Sequence, residues 1–179
     1  MHDQSLAGQL LIATPLIATP PFARSVVFIG EHDAEGALGL ILNTPSLLTV
    51  NEVLPGLTEF ATQPANVHLG GPVQTDTAIV LAKSDAGIFA RDTALVTVGV
   101  IDPMDPPADT AALRVYAGFS GWDGGQLEQE IRGGSWWSTP ARSGDVFTST
   151  AGTLWEETVR RLRGTEAFYA TYPDAPFLN

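Results

Sequence analysis

The chain predicts an α+β fold: one domain, residues 1–179, in which a mixed, irregular β-sheet is packed by about three or four short helices. Three observations point there. About eight apolar runs of strand length, rich in Val, Ile, Leu and Phe, are bounded by Gly, Pro or Asn. The few helical patterns do not alternate strictly with those runs, as a doubly wound fold requires. No linker-like stretch divides the 179 residues. An apolar fraction of 44% with 16% charged residues is globular composition, and 18 glycines with 13 prolines predict many turns.

Gln9-Leu10-Leu11-Ile12-Ala13 reads as a first strand, apolar enough to be covered on both faces. Leu-Ile-Ala-Thr-Pro then occurs twice, at 11–15 and 16–20, too few copies for a repeat architecture. Pro15, Pro20 and Pro21 make the second copy a loop or an edge. Residues 25–30 form a strand by their β-branched and aromatic density. Residues 31–36 read as a polar turn leading to a strand at 37–42, which Asn43-Thr44-Pro45 stops. Gly36 and Gly39 there allow another backbone to approach closely. Thr49 with Glu52 is a capping box opening a short helix that ends near Leu54.

Val67-His68-Leu69 runs into the tight turn Gly70-Gly71-Pro72, and strands follow at 78–82 and 95–100. Residues 102–107 are stiff and irregular, and 109–112 read as one helical turn. A strand at 113–119 enters the most unusual stretch, Gly118-Phe119-Ser120-Gly121-Trp122-Asp123-Gly124-Gly125-Gln126. Its four glycines predict sharply bent backbone carrying an exposed Trp122. Asp123 is expected to cap the helix that follows, with Gln126 reaching back, Leu127 and Ile131 facing the core, and Glu128 paired with Arg132. Gly133-Gly134 ends that helix, and Trp136-Trp137 and Asp145-Val146-Phe147 read as short strands. A last helix at 154–163 is predicted from a capping box of Thr153 and Glu156, from Trp155, Val159 and Leu162 on one face, and from arginines at its C-terminal end.

Charge excludes more than it suggests. A net charge of −11 repels phosphate backbones and anionic lipid surfaces, so direct nucleic-acid and membrane binding are disfavoured. With no cysteine there are no disulfides, zinc thiolates or thiol nucleophiles. The first residues lack the basic start of a secretory signal, and no apolar run approaches the ~18 residues of a membrane span, so a cytoplasmic location is expected.

The chemistry-bearing candidates are few. There is no phosphate loop or dinucleotide fingerprint. Gly118-Phe119-Ser120-Gly121-Trp122 departs from a nucleophile elbow at its last position, where Trp122 replaces glycine, and Ser120 reads as a turn hydroxyl. His2, His32 and His68 lack metal-ligand spacing; His32 sits in an acidic turn with Glu31, Asp33 and Glu35, and His68 is expected half-buried on a backbone carbonyl. No metal and no cofactor is expected. Gln126 and Glu130 share a helix face while Glu128 points elsewhere, so the two glutamates are not a natural acid–base pair. Trp122, beside flexible backbone, reads either as a ligand-facing aromatic or as a core anchor. Arg160, Arg161 and Arg163 read as complements of a helix C-terminus, with pairs Glu156–Arg160 and Glu157–Arg161.

Several blocks together resemble the AlgH/YqgE family of bacterial proteins: Gly8-Gln9-Leu10-Leu11-Ile12-Ala13-Thr14-Pro15, Phe22-Ala23-Arg24-Ser25-Val26-Val27, His32, residues 36–43, Gly70-Gly71-Pro72-Val73, Gly118-Phe119-Ser120-Gly121-Trp122, Gly125-Gln126-Leu127-Glu128 and Gly134-Ser135-Trp136. They fall in the family's order and span nearly the whole chain. The resemblance implies an α+β domain with a mixed sheet. Members are described as transcriptional regulators, with no catalytic residues to carry over, and the family pattern matches at His32, Asn43, Trp122, Gln126 and Glu128. Two departures stand out: Asn43-Thr44-Pro45 where the family often has Asn-Arg-Pro, and Pro20-Pro21-Phe22 where it has an acidic residue before the Phe.

The leading expectation is a non-enzymatic binding or regulatory domain with a site built from His32, Asn43, Trp122, Gln126, Glu128 and Glu130 and a protein or small-molecule partner. The alternative is an enzyme acting on a small polar substrate, with Glu128 or Glu130 as acid–base group and His32 nearby.

Overall fold

A computed structural model describes residues 5–84 and 97–171. Its nine strands form one mixed sheet: β1 (Gln9–Ala13), β2 (Val26–Asp33), β3 (Gly36–Ile41), β4 (Pro45–Thr49), β5 (Asn66–Leu69), β6 (Val73–Ser84), β7 (Val98–Val100), β8 (Thr110–Asp123) and β9 (Trp136–Pro140). The helices are short: α1 (Val50–Val53), α2 (Gln126–Arg132), α3 (Ser143–Val146) and α4 (Leu154–Arg160), with 3₁₀ segments at Pro55–Phe60, Ala151–Thr153 and Thr165–Thr171. The α+β expectation holds.

Strand β8 organises everything else. Its first part runs antiparallel to β6, and Tyr116 and Ala117 also pair in parallel with His68 and Leu69 of β5. Its last four residues leave β5 and pair with β3, from Gly39↔Ser120 to Gly36↔Asp123. The sheet then continues through β2 and β1 to β9. Gly36 makes the junction possible: a Cβ there would lie 2.2 Å from the Trp122 carbonyl oxygen.

Both faces of the β1–β2–β3 layer are covered, which is why these strands read as continuous apolar runs instead of alternating ones. Leu10, Ile12, Val26, Phe28, Leu40 and Leu42 pack on one side with Trp155 and Val159 of α4. Leu11, Ala13, Val27, Ile29 and Ile41 pack on the other with Trp122, Leu127 of α2 and Trp136. A third cluster, around Val67, Val80, Leu113 and Val115, lies under α1 and the 3₁₀ segment after it. The Thr49 capping box forms: the hydroxyl accepts the Glu52 N–H at 3.3 Å, and the Glu52 carboxylate accepts the Thr49 N–H at 2.8 Å.

Several local expectations are corrected. Residues 118–123 are the end of a 14-residue strand; the local distortion is confined to Gly118, at φ +67, where the pairing with β6 shifts register, and the turn itself comes at Gly124-Gly125. Residues 31–33 continue β2 past a bulge at Gly30, with Glu31 and Asp33 outward and His32 inward, a period of two inside what reads as a polar turn. Residues 110–112 are strand, not a helical turn, because they pair with β6. β4 was not anticipated, and of the strand expected at 95–100, residues 95 and 96 lie outside the described residues.

Asp145 and Val146 belong to a helical turn, not a strand. The Asp145 carboxylate accepts the Arg142 N–H at 2.8 Å, and Val146 is fully buried. The last helix stops at Arg160, and the Thr153 hydroxyl donates to Glu157 instead of capping. Glu156 pairs with Arg24, whose guanidinium lies 4.1 Å over the Trp155 ring, and Arg161 pairs with Asp145. Tertiary partners have displaced the local i,i+4 pairs.

Candidate functional site

Three elements bring the marked residues to one place. Helix α2 lies across β2, β8 and β9, held down by Leu127 and Ile131, and its polar side chains reach out on two sides. Gly125, with φ +77, sets the helix start, and Gln126 Oε1 accepts the Asp123 N–H at 3.0 Å. The reach back from Gln126 is as expected, although Asp123 is not the cap.

On one side stands Glu130. Its Oε2 accepts the indole N–H groups of Trp122 at 3.0 Å and Trp136 at 2.8 Å, and its Oε1 accepts from Gln126 at 2.9 Å. One carboxylate thus ties a helix to two strands. The rings it holds pack edge-to-face at 6.1 Å, with Phe22 against both. Trp122 is only 7% exposed, so its side chain is packed in the core.

On the other side Glu128 turns to β2, where its Oε1 lies 2.7 Å from His32 Nε2. The Leu6 backbone N–H points at His32 Nδ1 at 3.0 Å. A backbone amide only donates, so Nδ1 is the acceptor and Nε2 carries the proton given to Glu128. The Ser5 hydroxyl donates to the His32 carbonyl at 3.0 Å, strapping the N-terminal segment across the ring. The Glu128 carboxyl is held below the usual carboxylate range, first by its own backbone N–H in the first turn of α2, then by His32 and Arg132, against the opposing effect of burial. Its second oxygen is buried and has no hydrogen-bond partner.

Asn43 is elsewhere. Its side chain accepts the Val26 N–H and donates to the Arg24 carbonyl, both at 2.9 Å. That is the opposite end of β2 from His32, roughly 20 Å away along the strand. Ser120 is fully buried and donates to the Gly70 carbonyl at 3.2 Å, a structural hydroxyl.

Beside the cluster, Glu31, Asp33, Glu35 and Trp122 are among the residues lining an open cavity of about 290 Å³. Among the described residues no group of three or more His, Asp or Glu is arranged to hold a metal ion, and no helix is long and apolar enough to cross a membrane.

Sequence reasoning missed a second polar group in the core. His68, Arg114 and Tyr116 are all buried; Arg114 donates to His68 Nε2 at 2.6 Å, and His68 Nδ1 donates to the Asn66 carbonyl at 3.2 Å. The carbonyl partner of His68 is as expected, but the ring is 1% exposed, not half-buried. Burial, then the Arg114 charge, push the His68 pKa down to about 4, and burial alone raises that of Tyr116. The available signal was an arginine inside the apolar run Leu113-Arg114-Val115-Tyr116.

This fold and these motifs define a family. The AlgH-like family model matches residues 10–167, and the chain belongs to that family. It is 40% identical over 185 residues to a UPF0301 protein of Streptomyces coelicolor, covering 98% of this chain and 96% of the relative. It is 43% identical over 194 residues to a UPF0301 protein of Thermobifida fusca, covering 100% and 98%. Among solved structures, a Corynebacterium diphtheriae protein superposes with a TM-score of 0.83 at 28% identity, over 96% of this chain and 95% of the other. The solution structure of AlgH from Pseudomonas aeruginosa gives 0.69 at 27% identity, over 97% of each.

Proposed function

We propose that the chain is a non-enzymatic binding domain with a regulatory role, acting through a protein or small-molecule partner and not by touching DNA. One observation carries this reading: the three acid–base candidates of the cluster, His32, Glu128 and Glu130, are spent on the fold. Both ring nitrogens of His32 are engaged, three N–H groups occupy the Glu130 carboxylate, and the remaining oxygen of Glu128 is shut off from solvent. A general base has to reach the proton it takes, and none of these reaches outward. Beside the clamp, the open cavity lined by Glu31, Asp33, Glu35 and Trp122 is where a partner with cationic groups would find complementary charge.

The 2.7 Å contact of His32 with Glu128 is the observation favouring the enzymatic alternative, since such a pair orients a base in many active sites. Here the second nitrogen is taken by Leu6, which is why binding is preferred.

The test is a thermal-shift panel of nucleotides, common metabolites, divalent metals and duplex DNA at ~0.15 M salt, run on the chain and on the surface double variant Glu31→Gln/Glu35→Gln. A stabilising ligand lost in the variant supports the reading. Stabilisation by duplex DNA, retained in the variant, contradicts it.

A further inference from the structure

Of the nine basic residues in this acidic chain, four follow residue 141, and three of those, Arg142, Arg161 and Arg163, converge on one cavity of about 510 Å³. The cavity lies between β9 and the segment after α4, with Ser138 and Thr139 on its β9 side and no carboxylate in its lining. With 20 acidic residues in the chain, a wall without one is a departure from the molecule's general surface.

The wall is also braced from behind. Asp145 takes Nη1 and Nη2 of Arg161 at 3.0 Å each, and the backbone N–H of Arg142 at 2.8 Å. That fixes the guanidinium plane and compensates one charge. Arg161 Nε stays buried without an acceptor, and Arg142 and Arg163 make no ion pair among the described residues. The local pair expected between Glu157 and Arg161 is absent, Glu157 being taken by Thr153 and Arg161 by Asp145.

We propose that this cavity binds a small molecule through a phosphate or pyrophosphate group. Guanidinium groups offer paired N–H donors that match phosphate oxygens, and the opposite wall, at Ser138 and Thr139, is polar and uncharged. The volume falls within the ~300–1,000 Å³ of small-ligand pockets. The site is separate from the cavity at Trp122, so its failure would leave the partner-binding reading standing.

The experiment is thermal shift of the full chain with sodium phosphate, pyrophosphate, AMP or citrate, each at 10 mM and matched ionic strength (~0.15 M). It is repeated on Arg142→Ala/Arg163→Ala and on Arg132→Ala, an exposed arginine of α2. Pyrophosphate or AMP is expected to raise Tm by several degrees, in the parent and in Arg132→Ala but not in the double variant. A larger rise with AMP than with pyrophosphate identifies a nucleotide; the reverse identifies the phosphate group alone. Equal stabilisation by citrate, no rise with any phosphate, or a rise unchanged in the double variant overturns the proposal. Should the double variant not fold, ¹H–¹⁵N shifts of the parent decide: pyrophosphate is expected to move Ser138, Thr139, Arg142 and Arg163, and shifts confined to other residues overturn the assignment.

Discussion

His68 accepts a hydrogen bond from Arg114 at 2.6 Å inside the core, joining β5 to β8 with a neutral imidazole facing a buried cation. Its pKa is about 4 in the folded chain against an ordinary 6.5. Between those values the unfolded chain binds the extra proton, so stability falls as pH is lowered from about 6.5 to about 4, and this contribution is flat below. The loss amounts to about 3 kcal/mol across the window. Urea unfolding from pH 7 to pH 4 measures it, and His68→Gln, which keeps an acceptor for Arg114, should flatten that part of the profile.

Glu130→Ala removes the acceptor of two nearly buried indoles at once. Each stranded N–H costs ~1–3 kcal/mol, so a loss of about 3 kcal/mol in urea unfolding is expected, with a changed near-ultraviolet circular dichroism signal from Trp122 and Trp136. Glu130→Gln, which retains one carbonyl oxygen, should cost less.

His32→Ala leaves the Leu6 N–H without its acceptor. Amide exchange at Leu6 should quicken about tenfold, as expected for one hydrogen bond of ~1–1.5 kcal/mol, while Ile12 and Val27 in the strands keep their protection. Exchange measured by nuclear magnetic resonance resolves the three amides.

Gly70 is the seam between β3, β5 and β8. Its N–H donates to Ala117, and its carbonyl accepts from Ile41 and Ser120. A Cβ at Gly70 would meet the Gly118 carbonyl oxygen at 2.2 Å, backbone that cannot step aside. Gly70→Ala should cost about 3 kcal/mol in thermal or urea unfolding, where Gly56→Ala, with open space around it, should cost little.

Strand existence was legible because β1, β2 and β3 are apolar on both faces and bounded by Gly, Pro and Asn. The short helix at Val50 was legible from its capping box. Partners were not. Gly118 and Gly121 suggest a bend to a reader of local sequence; Gly118 does take a left-handed φ of +67, yet β8 continues past it because β6 pairs with it as far as Phe119 and β3 from Ser120 to Asp123. Glu128 and Glu130 were correctly separated by helical spacing, but nothing in the spacing says that one faces His32 and the other two indoles. Asn43 enters the expected site only through the family resemblance; its amide is spent on Arg24 and Val26, a long-range pairing with no sequence signature.

The most direct measurement of the clamp is the tautomer of His32, read from long-range ¹H–¹⁵N correlations of the ring at pH 7. The structure predicts one unprotonated, acceptor-type Nδ1 and one protonated Nε2, with the Nε2 proton exchanging slowly because Glu128 holds it. A protonated Nδ1, or two averaged nitrogens in fast exchange with water, would mean that the ring is free to turn outward and that the cluster is available for acid–base chemistry after all.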